Sequence, residues 1–525
     1  RGAGTVSHLA IFGGRVLATG GAELDALVGP DTRVIELDGR FATPGLYDAH
    51  LHLLPFGLAM AELDLRQTAA PTLDALLERV RREAERRPAD TWILGYGYDH
   101  AKLDVARHPT RRELDAVAPA HPVYLARTCG HLAVCNSRAL ELAGITATTP
   151  SPPGGFIEVA DGALTGLLAE TGRDAVRAIM PEVGEDDLVT AIERAGAHCA
   201  ALGITSVMDA AVGMRAGFAE IAAYHRAKRE GRLAVRTDLC LLGGEHGIVE
   251  RCHQAGLVTG TGDDDLRIGP VKIFTDGSAG GGTAAMREAY LGGGHGLLTL
   301  DDRVLEARVR DYHDRGYQLA LHAIGDAAIE QVLNAYEKAL AATPRPDPRH
   351  RVEHCGFSDD QQIRRLADLG VQPVPQPVFL YDFGDLYVEM VGEARAAAAY
   401  PMRRWTSAGL FPAASTDCPV SDCDPFANLY TMRTRRTDRG TVLGGQEALT
   451  AEEALAAYTY NGAYVGRAEH TKGRLEPGQL ADLAVFDTDL LEAEPEAVRA
   501  ARCELTLKGG AATFDRHGLA REAAA

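Results

Sequence analysis

Two histidines separated by one residue, in Asp48-Ala-His50-Leu-His52, follow directly on Thr43-Pro-Gly-Leu. On an extended strand the side chains at i and i+2 project to one face, so both imidazoles can reach one metal ion. Four further polar residues lie within or close later apolar runs. Lys272 sits inside Gly269-Pro-Val-Lys-Ile-Phe, His322 ends Leu319-Ala-Leu-His, His354 ends Arg351-Val-Glu-His, and Asp417 follows Pro412-Ala-Ala-Ser-Thr. Each alone has a structural explanation: a strand-end histidine packs and hydrogen-bonds, and a strand-end aspartate caps a helix. Lys272 is the oddest, because burying an unpaired ammonium among apolar neighbours is costly unless the group loses its charge. Such residues at successive strand ends are hard to explain as independent accidents.

The elements that must position them repeat one theme from about residue 185 onward: amphipathic helix, glycine stop, short apolar strand. Leu188, Ile192, Ala195, Cys199 and Leu202 have helical spacing up to Gly203, and Ile204-Thr-Ser-Val-Met-Asp209 reads as a strand. Leu305, Val309 and Tyr312 form a second stripe ending at Gly316, before Tyr317-Gln-Leu-Ala-Leu-His322. Ser358 with Gln361 reads as a capping box, Ile363, Leu366 and Leu369 as the buried stripe, and Gly370 as its stop. Regular alternation with continuous apolar strands means a parallel sheet covered by helices. Room for more than six such units between residues 46 and 465 favours a closed (β/α)8 TIM barrel, whose catalytic groups gather at the C-terminal strand ends.

Two regions break that rhythm. Residues 60–175 hold their own helix (Leu73, Leu76, Leu77, Val80), a strand at Thr91-Trp-Ile-Leu-Gly and the stretch Pro150-Ser-Pro-Pro-Gly-Gly155, and read as an insertion after the first barrel strand. The chain ends are β-rich, with Leu9-Ala-Ile-Phe and Arg33-Val-Ile-Glu-Leu at one and Asp482-Leu-Ala-Val-Phe and Glu504-Leu-Thr-Leu-Lys at the other. The expected organisation is therefore a barrel over 46–469, insertion included, with 1–45 and 470–525 joined in a small β-sandwich.

At 525 residues, 46% hydrophobic and 24% charged, the composition is that of a soluble globular protein, which excludes a disordered chain, a collagen or a coiled-coil rod. The formal net charge of −19 repels nucleic acid and anionic membranes, so neither is an expected partner. No window approaches the roughly 18 apolar residues of a membrane span, and Arg1-Gly-Ala-Gly-Thr-Val-Ser shows no leader pattern. Nine scattered cysteines without a CxxC pair argue for free thiols in a reducing compartment, with the cytoplasm as the expectation.

The ordered set His50-x-His52, Lys272, His322, His354 and Asp417 resembles the amidohydrolase superfamily of metal-dependent hydrolases. Local wording is similar to its amidohydrolase-3, YtcJ-like branch. The matching stretches are Thr43-Pro-Gly-Leu-Tyr-Asp-Ala-His-Leu-His, Gly130-His-Leu-Ala-Val-Cys-Asn-Ser, Val271-Lys-Ile-Phe-Thr-Asp-Gly-Ser278 and Leu321-His-Ala-Ile-Gly-Asp326. Arg351-Val-Glu-His354, Ser415-Thr-Asp-Cys-Pro419 and Gly473-Arg-Leu-Glu-Pro-Gly-Gln-Leu-Ala-Asp-Leu483 follow in order.

The resemblance implies a (β/α)8 barrel with a β-sandwich from both ends, and one or two Zn2+ ions held by His50, His52, His322, His354 and Asp417. In binuclear relatives a lysine carboxylated by CO2 bridges the metals, which gives Lys272 its reason; Glu170, in Gly166-Leu-Leu-Ala-Glu, is the competing ligand or a substrate contact. His131, Tyr98 and Asp276 are further candidates for substrate binding, Tyr96 and Asp99 are grouped with Tyr98 at the expected pocket mouth, and Ser278 joins Asp276 as a candidate to orient the Lys272 loop. The expected catalytic set is Asp417, Lys272 and His322, with Asp417 moving the proton and one strand histidine beside the oxyanion. Cys355 and Cys418 are expected to pack inertly. The implied reaction cleaves a C–N bond of a small non-peptide amide or formamide; a deaminase, an ester or lactone hydrolase, and a non-catalytic regulatory barrel are the alternatives. The expected partners are a small-molecule substrate and a second copy in a homodimer. Ala279-Gly-Gly-Gly282 and Pro375-Gln-Pro377 depart from the branch's pattern.

Overall fold

The apolar runs form parallel strands buried on both faces in the computed structural model, which describes residues 4–128, 130, 132–152, 154–181 and 183–520. These residues divide into two compact units, Arg1–Leu54 with Ile192–Ala525, and Pro55–Ala191.

In the first unit, β1 (Leu46–Leu51), β2 (Ile204–Val212), β3 (Arg236–Leu242), β4 (Leu266–Phe274), β5 (Leu319–Ala323), β6 (Arg351–His354) and β7 (Gln372–Val374) pair side by side in chain order, all parallel. Burying each leucine or valine in such strands contributes roughly 1.5–3 kcal/mol, which is why they read as unbroken apolar runs. The eighth stave differs from the regular strand expected. Residues 413–417 are held by single bonds: Ala413 N–H to Pro373 O (3.4 Å), Ala49 N–H to Ala414 O (3.3 Å) and Asp417 N–H to His50 O (2.8 Å). Prolines at 373, 375 and 377 on the neighbouring segment lack donors, so no continuous ladder forms there. The seven-stranded sheet is thus nearly closed into a barrel, and the irregular stave carries Asp417 between β1 and β7.

Covering helices follow the expected stripes, including Asp302–Asp314 and Asp360–Leu369. The capping box of the latter is Asp359 with Gln362, one residue beyond the Ser358 and Gln361 expected, because Ser358 is buried with its hydroxyl engaged by Trp405 Nε1 at 3.1 Å. Gly370 ends it at φ 66°, the left-handed stop.

The chain ends build a four-stranded antiparallel sheet in the order Ala511–Asp515, Cys503–Lys508, Leu483–Phe486, Phe41–Pro44. A hairpin of His8–Phe12 and Arg15–Gly20 forms a separate two-stranded sheet, with an isolated bridge from Arg15 to Leu480 just before Leu483–Phe486. Its turn is Gly13-Gly14, both at positive φ (57° and 76°), as a two-residue hairpin turn requires. Arg33–Leu37 is not a strand: Ile35 and Leu37 pack on the Leu483, Val485, Leu505 and Leu507 cluster, but their backbone joins no ladder. Alternation recorded burial there without a pairing partner.

The second unit has its own six-stranded sheet, with Val123–Arg127 and Leu132–Cys135 at its centre and Ile93–Tyr98 and Ala163–Glu170 each second from an edge. Helix Leu73–Arg86, capped by Thr72, packs Leu76 and Val80 on one face. Leu140, Ile145 and Leu168 form a core cluster of their own. Among the described residues no helix is long and apolar enough to cross a membrane.

Candidate metal centre

At the C-terminal strand ends of the first unit, six side chains converge. His50 and His52 leave β1 and its exit with ring centroids 5.7 Å apart, and His50 lies 5.1 Å from His354. His354 is 4.3 Å from His322, ring to ring. Asp417 Oδ1 sits 3.3 Å from His50 Nε2 and 3.2 Å from His52 Nε2. Lys272 Nζ is 3.3 Å from His50 Nε2. His50, His52 and Asp417 alone offer three donor atoms within 4.8 Å of one another.

Local backbone geometry explains how neighbouring residues reach one point. Glu353 and His354 are consecutive on β6, yet both lie against His50. Adjacent residues of a regular strand face opposite ways. His354 has φ 67°, and this left-handed turn swings its imidazole back to the face Glu353 already occupies. Asp417 likewise has φ 56°. Non-glycine residues in this region are strained by about 1–3 kcal/mol each and persist where the surroundings over-determine them.

Hydrogen bonds behind the rings decide which nitrogens face inward. His50 Nδ1 bonds Glu353, whose carboxylate is clamped by Arg351 through Nε (2.7 Å) and Nη2 (2.8 Å). Burial would raise the Glu353 carboxyl, but the Arg351 guanidinium outweighs it and holds the group well below the usual range. Glu353 therefore takes the Nδ1 proton's hydrogen bond, which leaves Nε2 as the His50 nitrogen turned toward the site. His322 Nε2 donates to Gly277 O at 3.1 Å and lies 3.2 Å from Asp276 Oδ1, so its Nδ1 is the unprotonated nitrogen. His354 Nδ1 meets Gln376 Oε1 at 2.6 Å.

Among the described residues, His52 Nδ1, His322 Nδ1 and Asp417 Oδ1 are buried without a hydrogen-bond partner. Such atoms are costly unless a ligand satisfies them. Neutral imidazoles with a carboxylate are the donor set that Zn2+ and related ions take, so the residues present fit a metal. Burial pushes Asp417 up, but His50 and His52 beside it prevail and keep it ionised, well below the usual carboxylate range. Burial pushes the Lys272 amine down, with Glu353 and Asp417 only partly opposing it. His354 is held well below the ordinary imidazole value by burial and by His322.

The remaining candidates are placed as follows. Asp276 is buried behind His322, its carboxylate accepting from the amides of Ile324 (3.0 Å), Gly325 (2.9 Å) and Ala285 (3.0 Å). Ser278 is exposed and closes a local turn with Gly281 and Thr283. Tyr98 is buried in the second unit with its hydroxyl 2.9 Å from His108 Nδ1. Tyr96 lies under Arg66, and Asp99 pairs with Arg127 at 2.9 Å. Glu170 ends its strand, exposed, at φ 48°. His131 lies outside the described residues. Cys355 and Cys418 are buried free thiols, burial pushing that of Cys355 to about 12.

Sequence reading missed the residues that set the ring orientations. Arg351 and Glu353 share a strand face by i, i+2 spacing, and a buried charge pair beside a candidate ligand was the available signal. Asp48 was visible in the same motif: its carboxylate bonds the Thr416 hydroxyl (2.6 Å) and Thr416 N–H (3.3 Å), pinning β1 to the stave that carries Asp417. Asp209 at β2 accepts from Leu53 N–H (3.1 Å) and Leu54 N–H (3.2 Å), fixing the turn just after His52.

A nearly closed parallel barrel with this histidine–carboxylate cluster at its strand ends has the architecture of a metal-dependent hydrolase. The model of the Amidohydrolase family Amidohydro_3 matches residues 33–514, and the chain belongs to that family. It is 30% identical over 524 residues to the N-substituted formamide deformylase of Arthrobacter pascens, covering 97% of this chain and 95% of the relative. It is 29% identical over 501 residues to YtcJ of Bacillus subtilis (strain 168), covering 93% and 91%. A solved structure of an uncharacterized metal-dependent hydrolase from Pyrococcus horikoshii OT3 superposes with TM-score 0.77 at 29% identity, over 94% of this chain and 95% of that one.

Proposed function

We propose that this amidohydrolase cleaves a C–N bond in a small non-peptide amide or formamide, with Zn2+ as the metal. The observation that carries the reading is the convergence of inward-facing imidazole nitrogens, the Asp417 carboxylate and the buried Lys272 amine at one set of strand ends. His50, His52, His322, His354 and Asp417 would hold one or two ions. A bound Zn2+ supplies Lewis acidity, lowering the pKa of water and polarising the scissile carbonyl.

The chain's own groups supply the rest. Asp417 Oδ1 is ionised, so it can accept a proton from the attacking water and return it to the leaving nitrogen. Burial lowers the Lys272 amine from its usual range, which favours the deprotonated form that adds CO2 with loss of a proton; the resulting carbamate is the anion that would compensate two cations beside it. Glu170 remains the competing ligand, and Glu170, Tyr98, His131 and Asp276 remain substrate-contact candidates. The formamide deformylase similarity supports the amide reading over a deaminase or an ester or lactone hydrolase. The expectations of a cytoplasmic homodimer and of the 1–45, 46–469 and 470–525 domain bounds stay part of this proposal.

The test is purified protein with measured metal content, assayed on N-formyl amines, N-acyl amines, esters, lactones and amidines. Release of an amine from an amide or formamide substrate is expected. Turnover confined to esters, lactones or amidines moves the assignment to those reactions. Fully metallated protein inert on the whole panel supports the non-catalytic barrel.

A further inference from the structure

Gln376 leaves β7 within Pro375-Gln-Pro377, with no exposed surface. One end of its amide lies 2.9 Å from Ser415 Oγ and 3.3 Å from Val374 O. The Val374 carbonyl can only accept, and the Ser415 hydroxyl spends its proton on Pro375 O at 2.8 Å. Both neighbours therefore call for N–H donors, which puts the amide nitrogen at that end. Oε1 is left on the other side, 2.6 Å from His354 Nδ1. An amide oxygen only accepts, so Nδ1 of His354 carries the proton and Nε2 is the free lone pair.

The contact does a second thing. Ser415 stands two residues before Asp417 on the irregular stave, so the Gln376 amide spans from the His354 ring to the segment that carries the carboxylate. Asn428 secures the same segment by donating to Ser415 O at 3.0 Å while accepting from Val378 N–H at 2.7 Å. Prolines on both sides of Gln376 fix their own φ and limit how far its backbone can drift.

We infer that Gln376 is a positioning residue that fixes the tautomer of His354 for metal binding and ties that ring to the segment bearing Asp417. The inference rests on the metal-centre reading proposed above.

The experiment measures Zn2+ affinity by chelator competition for the full chain and for His354→Asn, Gln376→Leu and Gln376→Glu, with thermal melts to compare folding. Loss of an outer partner of a metal-ligating histidine typically weakens binding about 10–100-fold. Gln376→Leu should weaken Zn2+ by that amount. Gln376→Glu keeps an acceptor for the Nδ1 proton but loses the donors to Ser415 and Val374, so it should melt below wild type yet weaken Zn2+ severalfold less than Gln376→Leu. A merely structural role would not separate the two variants in this way. If Gln376→Leu fails to fold, Gln376→Asn, which withdraws the oxygen by one methylene, should show the same loss. Wild-type affinity in Gln376→Leu (or in Gln376→Asn), with His354→Asn clearly weaker, overturns the inference and leaves the metal centre standing. Equal affinity in wild type and His354→Asn overturns both.

Discussion

Glu353 accepts the hydrogen bond of His50 Nδ1 while Arg351 grips the same carboxylate bidentately, and all three side chains are at most 1% exposed. The pair fixes which nitrogen of the first histidine faces the site, and it does so from the strand that also carries His354. In Glu353→Gln the amide no longer balances the buried Arg351 charge. Breaking a buried pair from one side costs about 3–5 kcal/mol, and loss of such a metal-side partner costs about 10–100-fold in metal affinity. The expected variant melts clearly below wild type and loses Zn2+ more readily in chelator competition. Wild-type values for both would show that the buried triad is not an ion pair.

His50→Asn with His52→Asn should remove most of the bound transition metal, expected at about one to two ions per chain. Elemental analysis of the purified double variant is the check. Full metal content would remove both histidines from the ligand set.

Lys272 is tested by Lys272→Ala. Activity should be lost and partly restored by millimolar acetate or formate, whose carboxylate can stand in for the carbamate anion. A variant as active as wild type would transfer the role to Glu170, or to no residue.

Asp417→Asn preserves size and one oxygen but not the base. Loss of general acid–base help typically costs about 10²–10⁴ in rate. The variant should remain folded, retain some metal and turn over a confirmed substrate at least about a hundredfold more slowly. Steady-state kinetics matching wild type would sink the proton-shuttle role.

In the second unit, burial and then neighbouring His100 lower the His108 imidazole from 6.5 to about 4. Its Nδ1 lies 2.9 Å from the Tyr98 hydroxyl, and only the neutral ring can accept that proton. The folded state thus binds fewer protons here than the unfolded chain, so stability from this group is present above pH 6.5 and lost as pH falls toward about 4. His108→Gln should flatten this part of the stability profile between those values. Thermal melts at pH 7, 5.5 and 4.5 would show it; parallel profiles for wild type and variant would refute the assignment.

The sequence by itself determined the layered plan and the types of residue gathered at the strand ends. Period-3.6 stripes, glycine stops and continuous apolar runs are local signals, and they led to the covering helices, to β2, β4 and β5, and to the sheet of Leu483–Phe486 and Cys503–Lys508. His50 and His52 shared a face by spacing alone. What only the tertiary structure decided depends on contacts distant in the chain. Spacing could not show that Glu353, 303 residues from His50, selects its tautomer. Nor could it show that positive φ at His354 and Asp417 turns both side chains into the site, since backbone strain of that kind is held by surrounding packing and leaves no periodic trace. The eighth stave and Arg33–Leu37 make the same point from the other side. Hydrophobic pattern reports which residues are buried, whereas a strand exists only where a neighbouring backbone offers donors and acceptors in register.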